Sequence, residues 1–522
     1  MPDVLLGQAY YLRFDPKLWR AQQPYAPLGT LYAASYLRSR RHSVAMFDAM
    51  LAESVNDWRQ SLVRERPRLA VIYEDSFNYL SKMCLLRMRQ AALEMIDASL
   101  ALNTPVIVSG SDATDHPGPY LARGASAVIL GEGEVTLGDL VDRMIAGRPA
   151  GDVPGVACLD ADGNVQRTAA RAFIRSLDEL PFPAWDLVDV DRYRSVWQTH
   201  HGHYSMNLAT TRGCPYHCNW CAKPIYGQRY AVRSPAAVVD EMTWLNHHYS
   251  PDHFWFVDDV FGLKPGWVEQ FSALVQEQRV RTPFRCLMRA DQVTVANAAA
   301  LAAAGCRMVW MGAESGSQRI LDAMEKGLRV EDIRTARESL RAAGIRVGFF
   351  LQFGYPGEGW NDIEATLQLV RDLAPDDIGV SVSYPLPGTR FHERVREQLG
   401  QKQNWFDSDD LAMMYRATYA PEFYREIHGV VHHEFRARRL AEAMAPLTKA
   451  PWRVRPADLR RVAAWIYNRG ALSISRARLR QSAERSAHDT PVAIAPSMSL
   501  RAAATPTRQD EWPPLGDVPT RP

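Results

Sequence analysis

The feature that most constrains this fold is a repeating alternation of short apolar runs with helical stretches, in two blocks. In the first block the runs are "DVLLG" (Asp3 to Gly7), "SVAMFD", "LAVIYED", "TPVIVSGSD" and "ASAVILGEGE". Each is short, and each is closed by an acidic residue or a glycine. Helical patterns such as "LGTLYAASYLRSR" lie between them. Continuous apolar runs of this length suit strands buried on both faces, so the block predicts an α/β, doubly wound parallel sheet. From Ala146 to Tyr204 the pattern weakens, and "LDELPFPAWDLVDVDRY" reads as an ordered linker. The second block contains "YSMNLATTR", "HFWFVDDVF", "FRCLMRADQV", "CRMVWMGAES", "RVGFFLQFGYPGE" and "DIGVSVSYPLPGT". Helices follow these runs, which predicts a full or partial parallel barrel. The expected organisation is a first sheet domain over 1–145, a linker over 146–204, a barrel over 205–400, a helical region over 401–480 and a disordered tail over 481–522.

At 522 residues the chain is too long for one ordinary domain, and its 47% hydrophobic content is enough for real cores. A formal net charge of +2 calls for no nucleic-acid partner. The N-terminus has no signal-peptide pattern and no run of about 18 apolar residues occurs, so a cytoplasmic protein without a transmembrane helix is expected. The arginine-rich "LRRVAAWIYNRGALSISRARLRQ" reads first as a solvated helix packed on the barrel. A membrane-surface or acidic-partner role is its second reading.

Both sheet types place ligands at the carboxyl ends of their strands. In the first block those ends are Glu74-Asp75-Ser76, Ser109-Gly110-Ser111-Asp112 and Gly131-Glu132-Gly133-Glu134. Tight turns alone would also explain these glycines. In the second block they hold Asp258, Asp259, Arg289, Glu314, Ser315, Gly354 and Gly357.

The loop after the first barrel strand, "TTRGCPYHCNWCAKP", carries Cys214, Cys218 and Cys221. The chain has seven cysteines, an odd number, which suits a reducing compartment and a metal-binding cluster better than a disulfide framework. Structural zinc needs a fourth ligand, and neither His217 nor the pair His201 and His203 forms a separated second pair. Three thiolates on a four-iron cluster leave one iron open to bind substrate.

"CPYHCNWC", with Trp220 before the last cysteine, resembles the CxxxCxxC signature of radical S-adenosylmethionine (SAM) enzymes. The resemblance implies a four-iron four-sulfur cluster on Cys214, Cys218 and Cys221. Its open iron chelates SAM, and one electron then cleaves SAM to a 5′-deoxyadenosyl radical. "WMGAESGSQRILDAMEKG" resembles the family's fourth-strand segment, which implies Glu314 and Ser315 near the SAM ribose. "FGYPGE", with Gly354, Pro356 and Gly357, resembles the turn near the adenine. Asp258 and Asp259 occupy the position that contacts the SAM amino group, and Arg289 is a candidate for the carboxylate.

A doubly wound domain before such a barrel resembles the subgroup with an N-terminal, Rossmann-like cobalamin-binding domain. That subgroup holds class B methyltransferases and relatives of the anaerobic Mg-protoporphyrin monomethyl ester cyclase. It implies cobalamin near Ser109, Gly110, Gly131, Glu132 and Gly133. The D-x-H-x-x-G motif is absent, and Asp112 stands where the subgroup often has histidine, so no histidine below cobalt is expected. The resemblance implies cobalamin-dependent methylation of an unactivated carbon in a secondary-metabolite, lipid or tetrapyrrole-type substrate. A flavodoxin or ferredoxin would be the external electron donor. The alternatives are a radical SAM oxidative cyclase without methyl transfer and a non-catalytic metal and corrinoid sensor.

Overall fold

The computed structural model of the chain describes residues 1–221, 223, 225–400, 404–449 and 456–486. The first sheet contains β1 (Val4–Gly7), β2 (Val44–Met46), β3 (Leu69–Tyr73), β4 (Val106–Ser109), β5 (Ala127–Ile129), β6 (Val156–Leu159) and β7 (Val165–Arg167). Their spatial order is β2-β1-β3-β4-β5-β6-β7. The first five run parallel. β1, β3 and β4 are buried along their whole length, as their unbroken apolar sequences require.

The segment 146–204, expected as a linker, instead completes this sheet. β6 and β7 join it as an antiparallel hairpin. The turn between them is closed by the Asp160 carboxylate, which accepts from Asp162 N at 2.9 Å and Asn164 N at 2.8 Å. Gly163 takes the left-handed conformation there, at φ 82°. β7 is exposed throughout, so this edge strand lacks the apolar run that marks the others. The rest of the segment includes the helix Val190–His201, capped by the Asp189 side chain.

The second sheet has six strands in the order β15-β14-β13-β12-β11-β8. They are β8 (Ser205–Leu208), β11 (His253–Phe256), β12 (Phe284–Met288), β13 (Cys306–Glu314), β14 (Arg346–Phe353) and β15 (Asp377–Val382), all parallel. This is the partial form of the expected barrel. A short antiparallel pair, β9 (Thr211–Arg212) with β10 (Ala231–Val232), brackets the cysteine loop.

Two long helices follow, Pro421–Lys449 and Pro456–Ser486. They pack side by side in opposite directions, with Glu426 facing Arg478 and His433 facing Asn468. The second continues to Ser486, past the expected boundary at 480, and residues 487–522 of the expected tail lie outside the described residues. One apolar core joins all three regions. It contains Leu28, Tyr32 and Phe77 from the first domain, Phe254, Phe284 and Phe349 from the barrel, and Phe423, Ile427 and Leu472 from the long helices.

Candidate active site

The carboxyl ends of the two sheets face each other across the cysteine loop. Arg212, two residues before Cys214, reaches into the first domain. Its guanidinium meets Glu132 Oε1 at 2.6 Å and Glu134 Oε1 at 2.7 Å, all three side chains being buried. In return, Lys82 of the first domain meets Asp259 at the end of β11, at 2.7 Å. Ser76 and Tyr226 share a hydrogen bond of 2.5 Å across the same junction.

The cysteine loop is held from below and from the side. Asp258, fully enclosed, accepts from Thr210 N (2.6 Å), Thr210 Oγ1 (2.6 Å) and Thr211 N (2.8 Å). Burial pushes this carboxyl up to about 6, against the pull of those donors. Gly213 is obligatory, since at φ 76° an added Cβ would lie 2.3 Å from the Arg229 carbonyl oxygen. Asn219, between Cys218 and Cys221, is the side clamp. Its amide N–H donates to Met324 O at 3.0 Å, its side chain donates to Ala323 O at 2.8 Å, and its Oδ1 accepts from Tyr355 OH at 2.9 Å.

Cys214 and Cys218 are buried and Cys221 is half-buried. Burial pushes the Cys214 and Cys221 thiols up, Cys221 to about 12, and Lys223 is the main opposing charge. Thiols raised in this way become stable thiolates only with cationic partners, which is the chemistry of metal ligation. Among the described residues no set of three His, Cys, Asp or Glu side chains is arranged around a single metal ion. The indole N–H of Trp220 is buried without a protein partner beside this loop. Cys214, Cys218 and Cys221 are the residues present that would hold a cluster.

Around the loop stand the other strand-end residues. Glu314 sits at a bulge in β13 and in the left-handed region, at φ 58°. Its Oε1 meets Lys326 Nζ at 3.0 Å in a buried pair. Arg289 Nη1 lies 4.0 Å from Cys218 Sγ, and its guanidinium stacks on Tyr216 at 3.9 Å. The same guanidinium binds Asp291 (2.9 Å), Gly327 O (2.7 Å) and Lys326 O. Ser315 is turned inward, its hydroxyl 3.0 Å from Thr366 Oγ1. Gly354, at φ 84°, lies under Met413 and Tyr424, with its N–H donating to Glu358 at 2.5 Å. Pro356 is half-buried, and the Gly357 carbonyl accepts from Arg319 at 2.9 Å.

The structure thus brings together Cys214, Cys218, Cys221, Trp220, Arg289 and Glu314. It commits Asp258, Ser315, Gly354 and Gly357 largely to holding the loops. Asp259 is shared with Lys82. Three residues of the assembly carry no motif of their own: Asn219, Lys326 and Lys82. The spacing of Lys326 from Glu314 gives no helical or strand register, so only the closed structure joins them.

At the first sheet, Gly110 and Gly133 serve close packing within the domain. An added Cβ would lie 2.7 Å from Glu74 Cγ at Gly110 and 2.6 Å from Tyr73 OH at Gly133. Gly131, at φ 76°, approaches Ile225 O of the barrel domain. Ser109 ends β4 opposite Tyr73. Both Glu132 oxygens are engaged, one by Arg212 and one by Ile174 N at 2.7 Å. Asp112 is held by Arg89 at 2.5–2.6 Å and by Tyr120 OH at 2.6 Å. Deeper in the same edge, a small cavity of about 10 Å³, no larger than one water, is lined by Glu74, Ser81 and Ser111 among others. Glu74 Oε2, Ser81 Oγ and Ser111 Oγ are buried there without partners. Burial pushes Glu74 up to about 8, so at neutral pH it offers a proton.

The parallel half-barrel with a three-cysteine loop at its mouth defines a radical SAM domain, and residues 208–370 match the Radical SAM superfamily. Over those residues the chain carries a radical SAM domain, the catalytic domain of a radical SAM enzyme. An uncharacterized methyltransferase of Pyrococcus horikoshii is 25% identical over 417 residues, covering 76% of this chain and 88% of that protein. The anaerobic magnesium-protoporphyrin IX monomethyl ester cyclase of Rubrivivax gelatinosus is 26% identical over 54% of this chain, which spans half of its length. The fold is shared with the cobalamin-dependent SAM radical enzyme OxsB (TM-score 0.70, 17% identity, covering 91% of this chain and 72% of that one). It is also shared with the radical SAM methyltransferase TsrM of Kitasatospora setae (TM-score 0.63, 21% identity, covering 76% and 78%).

Proposed function

We propose that this enzyme methylates an unactivated carbon of a small molecule, using cobalamin beside the cluster and SAM. The observation that carries this reading is the face-to-face arrangement of the cysteine loop and the carboxyl edge of the first sheet. When bound, the cluster, SAM and corrinoid supply the radical and the methyl group.

In this reading Cys214, Cys218 and Cys221 ligate the cluster. Arg289 and Lys326 lend positive charge beside Cys218, which favours the thiolate and a nearby carboxylate. Glu314, fixed by Lys326 through Oε1, would use its remaining oxygen on the SAM ribose. The strand ends at Ser109, Gly110, Gly131 and Gly133 would border the corrinoid at the first sheet. Arg212 and Lys82 hold the two edges at fixed separation and exclude water between them. Seven free thiols suit a reducing, cytoplasmic setting with a flavodoxin or ferredoxin as electron donor.

The test is anaerobic cluster reconstitution followed by turnover with methyl-labelled SAM. Reductant-dependent 5′-deoxyadenosine together with labelled methyl in a product supports methylation. 5′-Deoxyadenosine without methyl label in any product would move the reading to an oxidative cyclase, which the cyclase relatives favour as the second possibility. A corrinoid lost on gel filtration from protein with intact cluster would remove the cobalamin-dependent form.

A further inference from the structure

The second long helix, Pro456–Ser486, is apolar on two opposite sides. Its inner side carries Trp465, Leu472 and Leu479 at seven-residue spacing, and the two leucines are buried in the core shared with the barrel. Its outer side carries Leu459, Val462, Ile466, Tyr467 and Ile474, exposed by 64, 40, 59, 68 and 56%. At 3.6 residues per turn these five fall within a sector of about 140°. They are a third of the exposed large hydrophobic side chains among the described residues, gathered on one helix. Scattered single exposures are ordinary, but a contiguous stripe is not.

Charge settles what this stripe suits. From Leu459 to Gln481 the helix has six arginines and no acidic residue. Around the helix, Arg460 and Arg478 border the stripe on one side, and Arg469 and Arg480 border it on the other. All four are exposed. A second copy of this helix would bring arginine against arginine with no carboxylate to pair them. No helix of the described residues is long and apolar enough to cross a membrane. An apolar sector with arginines along both borders instead matches a bilayer surface, where the side chains lie in the acyl boundary and guanidinium groups reach lipid phosphates.

We propose that this face seats the enzyme on an anionic membrane surface. The full chain, with or without its cofactors, is sedimented with vesicles of phosphatidylcholine alone and of phosphatidylcholine mixed with phosphatidylglycerol. Binding is expected about tenfold or more tighter to the anionic vesicles, and it weakens as salt rises. Ile466→Glu with Ile474→Glu should lower that binding about tenfold or more, and Arg469→Gln with Arg480→Gln should also lower it, by about fivefold per arginine. Circular dichroism and 5′-deoxyadenosine formation stay at wild-type levels in both variants, which separates loss of docking from loss of fold. Equal binding to both vesicle types, or full binding by the Ile466→Glu, Ile474→Glu variant, overturns the proposal. So does self-association, or capture by an acidic protein, that the same variant abolishes while vesicles are never bound.

Discussion

The mouth of the barrel and the carboxyl edge of the first sheet look alike in sequence, and the structure uses them differently. Both present glycines and acidic residues at strand ends. At the barrel mouth, buried positive groups, Arg289 and Lys326, gather beside Cys218. At the sheet edge the acids face outward into the other domain. Glu132 and Glu134 grip Arg212, and the neutral Glu74, Ser81 and Ser111 line a cavity. One edge is thus charged for ligating a cluster and its anionic partners. The other spends its charges on docking and keeps uncharged hydrogen-bonding groups buried behind it.

The largest test of this contrast is at the cysteines. Replacing Cys214, Cys218 or Cys221 by alanine should abolish 5′-deoxyadenosine formation to background while the circular dichroism spectrum is retained. A fully active variant would end the reading of the barrel mouth.

Arg212→Met tests the docking role of the other edge. It leaves two buried carboxylates without their cation, at a cost of about 3–5 kcal/mol. Burial already holds the Glu132 carboxyl above its ordinary value, with Arg212 opposing the rise. A carboxyl raised in the folded state stabilises the fold at low pH, and that contribution is lost as pH rises through its folded value. The Arg212→Met protein should therefore be less destabilised at pH 5 than at pH 8 in denaturant melts. An equal loss at both pH values would mean that Glu132 and Glu134 are hydrated rather than docked.

Asp259 sharpens the line between the two edges, because it is claimed by both. If it contacts SAM, Asp259→Asn raises KM for SAM several-fold and leaves Tm unchanged. If it serves only to hold Lys82, both Asp259→Asn and Lys82→Met lower Tm alike and leave KM for SAM unchanged. Asn219→Ala should cost about 1–3 kcal/mol by unclamping the cysteine loop and leaving Tyr355 OH one acceptor short. Iron content per chain after gel filtration is its readout.

The smallest effect is expected at Glu358, which burial pushes up to about 8. Its contribution fades as pH rises toward that value. Glu358→Gln should flatten the pH dependence of Tm between pH 6 and 8.5, by about 2–4 °C for each kcal/mol involved.

Much of this was legible beforehand because local pattern carries it. The parallel strands are apolar runs, and the cysteine spacing is local chemistry. The hairpin β6–β7 was not legible, since its outer strand is exposed and carries no apolar signature. The partners of Asp258 and Glu132 were not legible for a related reason. A carboxylate at a strand end looks the same whether a cofactor or Thr210, Thr211 and Arg212 will meet it.

By itself, then, the sequence determined two blocks of parallel strands and a three-cysteine loop, because burial, period and ligand spacing act within a few residues. Only the tertiary structure decided which charges meet. Lys326 finds Glu314, Lys82 finds Asp259, and Arg212 finds Glu132 and Glu134. Those pairs form at sequence separations of 12 to 177 residues, where chain pattern carries no information and only the closed core fixes the distance.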